Sequence, residues 1–169
     1  MRTTGFAAIA PGAPGKGSEI FKAATSSNAR LSHRPLDHVF GYAVGLDMTR
    51  RDLQAKAKEA GRPWEAAKAF ERSAPISPLR PVSQAGHPAK GAVLLKVNGE
   101  ARQQGDLDQM VWKVPEMISV LSGYFELAGG DVIFTGTPSG VAAVAPGDVM
   151  EASIEGVGAL SVTVTDPGT

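Results

Sequence analysis

Between Val39 and Leu46 the bulky residues Phe40, Tyr42, Val44 and Leu46 alternate with glycine and alanine, and this run constrains the chain more than any other. Period-two alternation predicts a β-strand. One face carries bulk for a core, and the other is small enough for a backbone or a ligand to approach closely. Asp47-Met-Thr-Arg-Arg-Asp52 follows directly and predicts a helix start, because Asp47 or Thr49 can accept from the orphan amides of a first turn. Gly61-Arg-Pro63 is where that helix is expected to stop.

Further along, Val93-Leu-Leu-Lys-Val97, Asn98-Gly99 and Glu100-Ala-Arg102 predict a hairpin, since Asn-Gly tolerates the positive φ angles of a type I′ turn. Val114, Met117, Ile118, Leu121 and Phe125 recur at helical spacing, with Pro115 suited to a first turn and Gly129-Gly130 to a stop. Asp131–Phe134, Val149–Ile154 and Leu160–Val164 predict three strands around the loop Thr135-Gly-Thr-Pro-Ser-Gly140. About six strands and two helices without βαβ alternation give an α+β class with a largely antiparallel or mixed sheet.

The chain's 169 residues predict one domain, and 43% hydrophobic composition is enough to fill its core. The absence of cysteine excludes disulfides, thiolate metal sites and a cysteine nucleophile. With 17 basic against 17 acidic residues there is no global attraction to nucleic acid. No apolar stretch approaches the roughly 18 residues of a membrane span, so a soluble, cytoplasmic protein is the expectation. Composition changes near Pro35. Residues 1–35 are rich in Ala, Gly, Ser and Pro, with Arg2, Lys16, Lys22, Arg30 and Arg34 against Glu19 alone. That balance overlaps with organelle transit peptides, but the Pro-Gly-Ala-Pro-Gly stretch at 11–15 breaks a continuous helix. Residues 1–35 are therefore expected to be a disordered or foreign leader that does not pack, leaving the Val39–Leu46 strand near an incompletely covered sheet edge.

Several side chains admit both a chemical and an ordinary reading. Asp47 lies where a carboxylate can face a ligand beside the sheet, and an N-cap explains it as well. Lys68, between Trp64 and Phe70, is either a partly desolvated ammonium facing an anion or a solvated lysine. Gly136-Thr-Pro-Ser-Gly140 can cradle an anion or simply turn, and it lacks the ending of a P-loop. Glu151 and Glu155 would share a strand face, which a solvent-facing polar stripe explains equally. His33, His38 and His87 form no pair at metal-binding spacing.

Taken in order, Gly41-Tyr-Ala-Val-Gly-Leu-Asp47-Met-Thr-Arg-Arg-Asp-Leu-Gln54, Lys68-Ala-Phe70 with Ser73-Ala-Pro75, Leu95-Lys-Val-Asn-Gly-Glu-Ala-Arg-Gln103 and Gly130-Asp-Val-Ile-Phe-Thr-Gly-Thr-Pro-Ser-Gly-Val141 resemble the fumarylacetoacetate hydrolase family, nearest its fumarylpyruvate and acylpyruvate hydrolase branch. The resemblance runs from about Leu36 to Val164. It implies a mixed, mainly β-roll fold, usually a homodimer, incomplete here on the amino-terminal side. It also implies Mg²⁺ or Mn²⁺ and hydrolysis of a carbon–carbon bond in 1,3-diketo acids through a stabilised enolate. By the same resemblance Asp47 is a metal ligand, and Gln54 faces the substrate. Lys68 stabilises developing negative charge, Gly136-Thr137 holds the substrate carboxylate, and Glu151 falls where some members support a catalytic histidine.

Two departures qualify these expectations. The family's Glu-x-Glu ligand pair and the lid His–Glu dyad of this branch have no counterpart before Asp47, where Glu19 and Asp37 are the only acidic residues. An inactive, dimerising remnant of the fold is one alternative. A decarboxylase or isomerase of related oxo acids is the other.

Overall fold

The computed structural model describes residues 2–11 and 34–165. They form two four-stranded antiparallel sheets, with orders β3-β2-β1-β6 and β5-β4-β7-β8. The first sheet comprises β1 (Arg2–Pro11), β2 (Val39–Thr49), β3 (Arg80–Pro81) and β6 (Ile133–Phe134). The second comprises β4 (Ala92–Val97), β5 (Glu100–Asp106), β7 (Val149–Ile154) and β8 (Gly158–Thr163). Helices are few and short: α1 (Arg51–Glu59), the single turn α2 (Val82–Ala85) and α3 (Val114–Ser122). The α+β, mainly β class expected from the sequence is what the chain adopts.

Alternation in sequence becomes alternation in space. Tyr42, Val44, Leu46 and Met48 of β2 enter a core shared with Leu95 and Val97 of β4 and Met150, Ala152 and Ile154 of β7. Val114 and Ile118 of α3 close this core at one side. The opposite face of β2 carries Gly41, Ala43, Gly45, Asp47 and Thr49. There is room for no more at Gly41, where a Cβ would lie 2.6 Å from the Arg80 carbonyl oxygen.

Three expectations need correction. Arg2–Pro11 does pack: it pairs with β2 along the strand, from Arg2 opposite Thr49 to Pro11 opposite Val39. Ladder pairing uses backbone amides, and no proline interrupts residues 2–10. The glycine- and alanine-rich composition that suggested a tail did not remove those donors. In consequence β2 is interior, flanked by β1 and β3, and is no open edge. Residues 12–33 of the expected leader lie outside the described residues.

Secondly, β2 runs through Asp47 to Thr49, because Leu46 and Met48 donate to the Pro75 and Ser73 carbonyls. The N-cap of α1 is Arg50, with no side-chain cap, so neither Asp47 nor Thr49 serves as one. Thirdly, α3 ends at Ser122, with Gly123 at its C-cap, and Phe125 is 62% exposed. Glycine's low helix propensity ends the helix before its apolar spacing does. The hairpin is as expected, with Asn98 and Gly99 both at positive φ.

Candidate functional site

Asp47 stands on the small-residue face of β2, near its carboxyl end. Arg50 donates its backbone N–H to the Ala67 carbonyl at 3.0 Å, which docks the 3₁₀ turn Glu65–Ala67 against the strand–helix junction. Ala67 is 1% exposed and fixes that turn. Lys68 follows immediately, and its Nζ donates to Asp47 Oδ2 at 2.6 Å. The side chains are 33% and 38% exposed, a setting in which an ion pair adds at most about 1 kcal/mol to stability. The pair therefore does little for the fold. It presents an ammonium with further N–H donors beside a surface where a ligand can approach. The aromatic neighbours that suggested a desolvated Lys68 serve other cations: Lys58 sits over Trp64 and Arg50 over Phe70.

Gln54 lies one turn into α1, is 7% exposed, and accepts from Arg51 Nη1 through its Oε1. Asp47, Gln54 and Lys68 thus belong to one junction of β2, α1 and the 65–68 segment. Thr49, two residues beyond Asp47 on the same face, is fully buried, and among the described residues its hydroxyl has no hydrogen-bond partner.

The loop after β6 sets out toward the same end of the first sheet. Ile133 pairs with Ile9 and Phe134 with Ala8, so the chain leaving β6 heads toward the end where Thr4 pairs with Asp47. β6 pairs with β1 at Ala8 and Ile9, opposite Ala43 and Tyr42 of β2, four residues along the strand from the Thr4–Asp47 pair. The loop then packs on β5. A Cβ on Gly140, at φ +98°, would meet the Arg102 carbonyl oxygen at 2.1 Å, so only glycine fits. Gln103, 3% exposed, donates to Thr137 Oγ1 at 2.7 Å and to the Pro138 carbonyl at 2.8 Å. Gly136 and Thr137 line a cavity of about 290 Å³, whose other walls include Leu107, Met110, Trp112 and Met117. Asp106 is a charged residue of this lining, and its carboxylate accepts from the Gly91 and Asp108 amides, which hold its pKa below the usual carboxylate value.

Glu151 is not part of this arrangement. On β7 it is exposed between the buried Met150 and Ala152, and it pairs in register with Lys96 and Ser161. It points away from the core on the second sheet, as Asp47 does on the first. The polar-stripe reading of Glu151 is the one its position fits. Gln103, by contrast, stands in the sequence only as the last residue of the Leu95–Gln103 motif. Its burial and its partners 34 and 35 residues away left no local signal.

Mg²⁺ and Mn²⁺ prefer about six oxygen ligands, more than one carboxylate among them. Among the described residues no three acidic or histidine side chains come together. β1, the strand beside Asp47, has no Asp or Glu from Arg2 to Pro11, and Asp47 already holds the Lys68 ammonium. The described residues do not fit a divalent metal site.

Residues 22–165 match the family described as fumarylacetoacetate (FAA) hydrolase, C-terminal, a match that begins upstream of the expected boundary at Leu36. A fumarylpyruvate hydrolase from a Ralstonia species is 45% identical over 126 residues, which are 75% of this chain and 65% of that protein. A human mitochondrial oxaloacetate tautomerase is 43% identical over 132 residues, 78% of this chain and 60% of that protein. The crystal structure of fumarylpyruvate hydrolase from Pseudomonas aeruginosa in complex with Mn²⁺ and pyruvate superposes with a TM-score of 0.83 at 47% identity, covering 97% of this chain and 65% of that one. The chain spans less than two thirds of each of these three proteins.

Proposed function

The chain belongs to the fumarylacetoacetate hydrolase family, and from that membership we propose that it acts on small oxo acids, as a hydrolase of acylpyruvate- or fumarylpyruvate-type 1,3-diketo acids. The observation that carries this reading is the Lys68 ammonium held at 2.6 Å by Asp47 on an otherwise small-residue face. In such a hydrolysis water adds to the acyl carbonyl, and the carbon–carbon bond to the methylene breaks. Its electron pair then passes into the enolate of pyruvate. A proton on the methylene carbon completes the product. Asp47 orients Lys68, and the remaining N–H groups of Lys68 face the enolate oxygen, where negative charge grows during bond cleavage. Gly136 and Thr137 hold the carboxylate, and Gln54 forms the buried side of the same junction.

A second reading, binding of oxo acids without turnover, is favoured by the absence of acidic residues from β1 beside Asp47. Pyruvate release from an acylpyruvate, measured beside oxalate binding, separates the two. Release that falls in Lys68→Met supports the hydrolase. Oxalate binding that weakens in Lys68→Met without any release supports the second reading. If neither measurement responds to Lys68, both readings fail. Enol-to-keto conversion of oxaloacetate, followed in the same preparations, tests the tautomerase chemistry for which the human relative is named.

A further inference from the structure

We propose that Gln103 is a positioning residue that turns the Thr137 hydroxyl into an obligate hydrogen-bond donor toward the bound anion; this rests on the reading of Gly136-Thr137 as the carboxylate-holding loop. The geometry fixes the direction of each bond. A carbonyl oxygen only accepts, so the Gln103 atom 2.8 Å from the Pro138 carbonyl is its amide nitrogen. That nitrogen is also 2.7 Å from Thr137 Oγ1, and an amide NH₂ only donates. Thr137 Oγ1 therefore accepts from Gln103, and its one proton must point elsewhere. Thr137 lines the cavity beside the loop and is exposed, so the proton is available to an anion arriving there.

Gln103 is suited to this work because it does not move easily. It is 3% exposed on β5, within the 100–106 strand of the second sheet. The loop it holds is pressed onto that strand at two further points: Gly140 against the Arg102 carbonyl, and Pro138 near Gly105. A hydroxyl without this partner could rotate and offer a lone pair to the ligand. Gln103 removes that choice before the ligand arrives, which lowers the ordering cost of binding.

Gln103→Glu keeps the shape and reverses the bond. The carboxylate accepts the Thr137 proton, leaving lone pairs toward the ligand. The test is a double-mutant cycle on the oxalate dissociation constant at fixed salt, using Gln103→Glu, Thr137→Val and both together, with melting temperature read in parallel. If Gln103 acts through the Thr137 hydroxyl, each single variant weakens oxalate about tenfold, and the double variant is no weaker than Thr137→Val alone. Additive losses, or a Gln103→Glu variant that binds oxalate as the wild type does, overturn the proposal. An oxalate affinity unaffected by Thr137→Val would instead overturn the carboxylate-loop reading beneath it. Should Gln103→Glu fail to fold, Gln103→Met, which removes the donor without adding charge, takes its place in the same cycle. Its loss must then also vanish in the Thr137→Val background.

Discussion

Lys68 and Asp47 show how a side chain's work is set by what stands next to it. Replacing Lys68 with methionine removes the ammonium and leaves Asp47 half in solvent. Because the pair is partly exposed, the fold loses at most about 1 kcal/mol, and we expect the melting temperature to move by only a few degrees. Oxalate affinity is expected to fall about tenfold, the loss of a screened charge contact. A titration in which Lys68→Met binds oxalate normally would return Lys68 to an ordinary surface lysine. Tyr42 offers a pH-dependent counterpart. It is 3% exposed, its hydroxyl lies 2.7 Å from His87 Nδ1, and burial pushes its pKa from 10.0 up to about 12. A raised phenol pKa means that the folded state keeps a proton the unfolded chain gives up. Stability from this group is full below pH 10 and is lost as pH rises toward 12. In alkaline denaturation, Tyr42→Phe should abolish that part of the decline. A wild-type and a Tyr42→Phe curve of identical shape above pH 10 would contradict it.

β1 and the 135–140 loop decide what the site contains. β1 fills the strand position beside Asp47, in register at Thr4, and it brings no carboxylate there. Mn²⁺ and Mg²⁺ are therefore expected to bind no tighter than about 1 mM, the weak end for oxygen ligands. Calorimetry can decide: micromolar binding that disappears in Asp47→Asn, or in Glu19→Gln, would mean that the remaining ligands lie outside the described residues. The loop is rigid for a different reason. Gly140 combines φ +98° with a Cβ position 2.1 Å from the Arg102 carbonyl. Gly140→Ala is thus expected to cost about 1–3 kcal/mol and to weaken oxalate as well, because Thr137 is carried by the same loop. A variant with unchanged melting temperature and affinity would show that the loop yields more easily than its packing implies. The helices behave less like their sequence. The apolar spacing of Val114 to Phe125 was legible, yet α3 stops at Ser122 and leaves Tyr124 and Phe125 exposed.

The whole molecule depends on one core between two sheets, in which Leu46, Val44 and Met150 are fully buried. Leu46→Ala is expected to cost about 2–5 kcal/mol, and in urea the midpoint should shift while the slope stays constant. A changed slope would indicate that the sheets unfold separately. How far this architecture could be read in advance follows from the range of each interaction. The Val39–Leu46 alternation, the Asn98-Gly99 turn and the strand at Val149–Ile154 are written within a few residues, as dihedral preference and period, and the chain folds as they direct. Asp47 read equally well as a helix cap. Its place in β2 came from backbone bonds to Ser73 and Pro75, and its partner Lys68 lies 21 residues on. β1 was hidden because ladder pairing asks for free amides more than for apolar bulk, and a composition rich in glycine and alanine says little about them. Gln103 and Thr137, 34 residues apart, meet only once β5 and the loop are laid together. Local stereochemistry thus gave the elements and named most of the candidate residues. Which of them share a face is a matter of sheet register, set by pairing between distant segments, where shifting a strand by one residue turns every side chain to the other side.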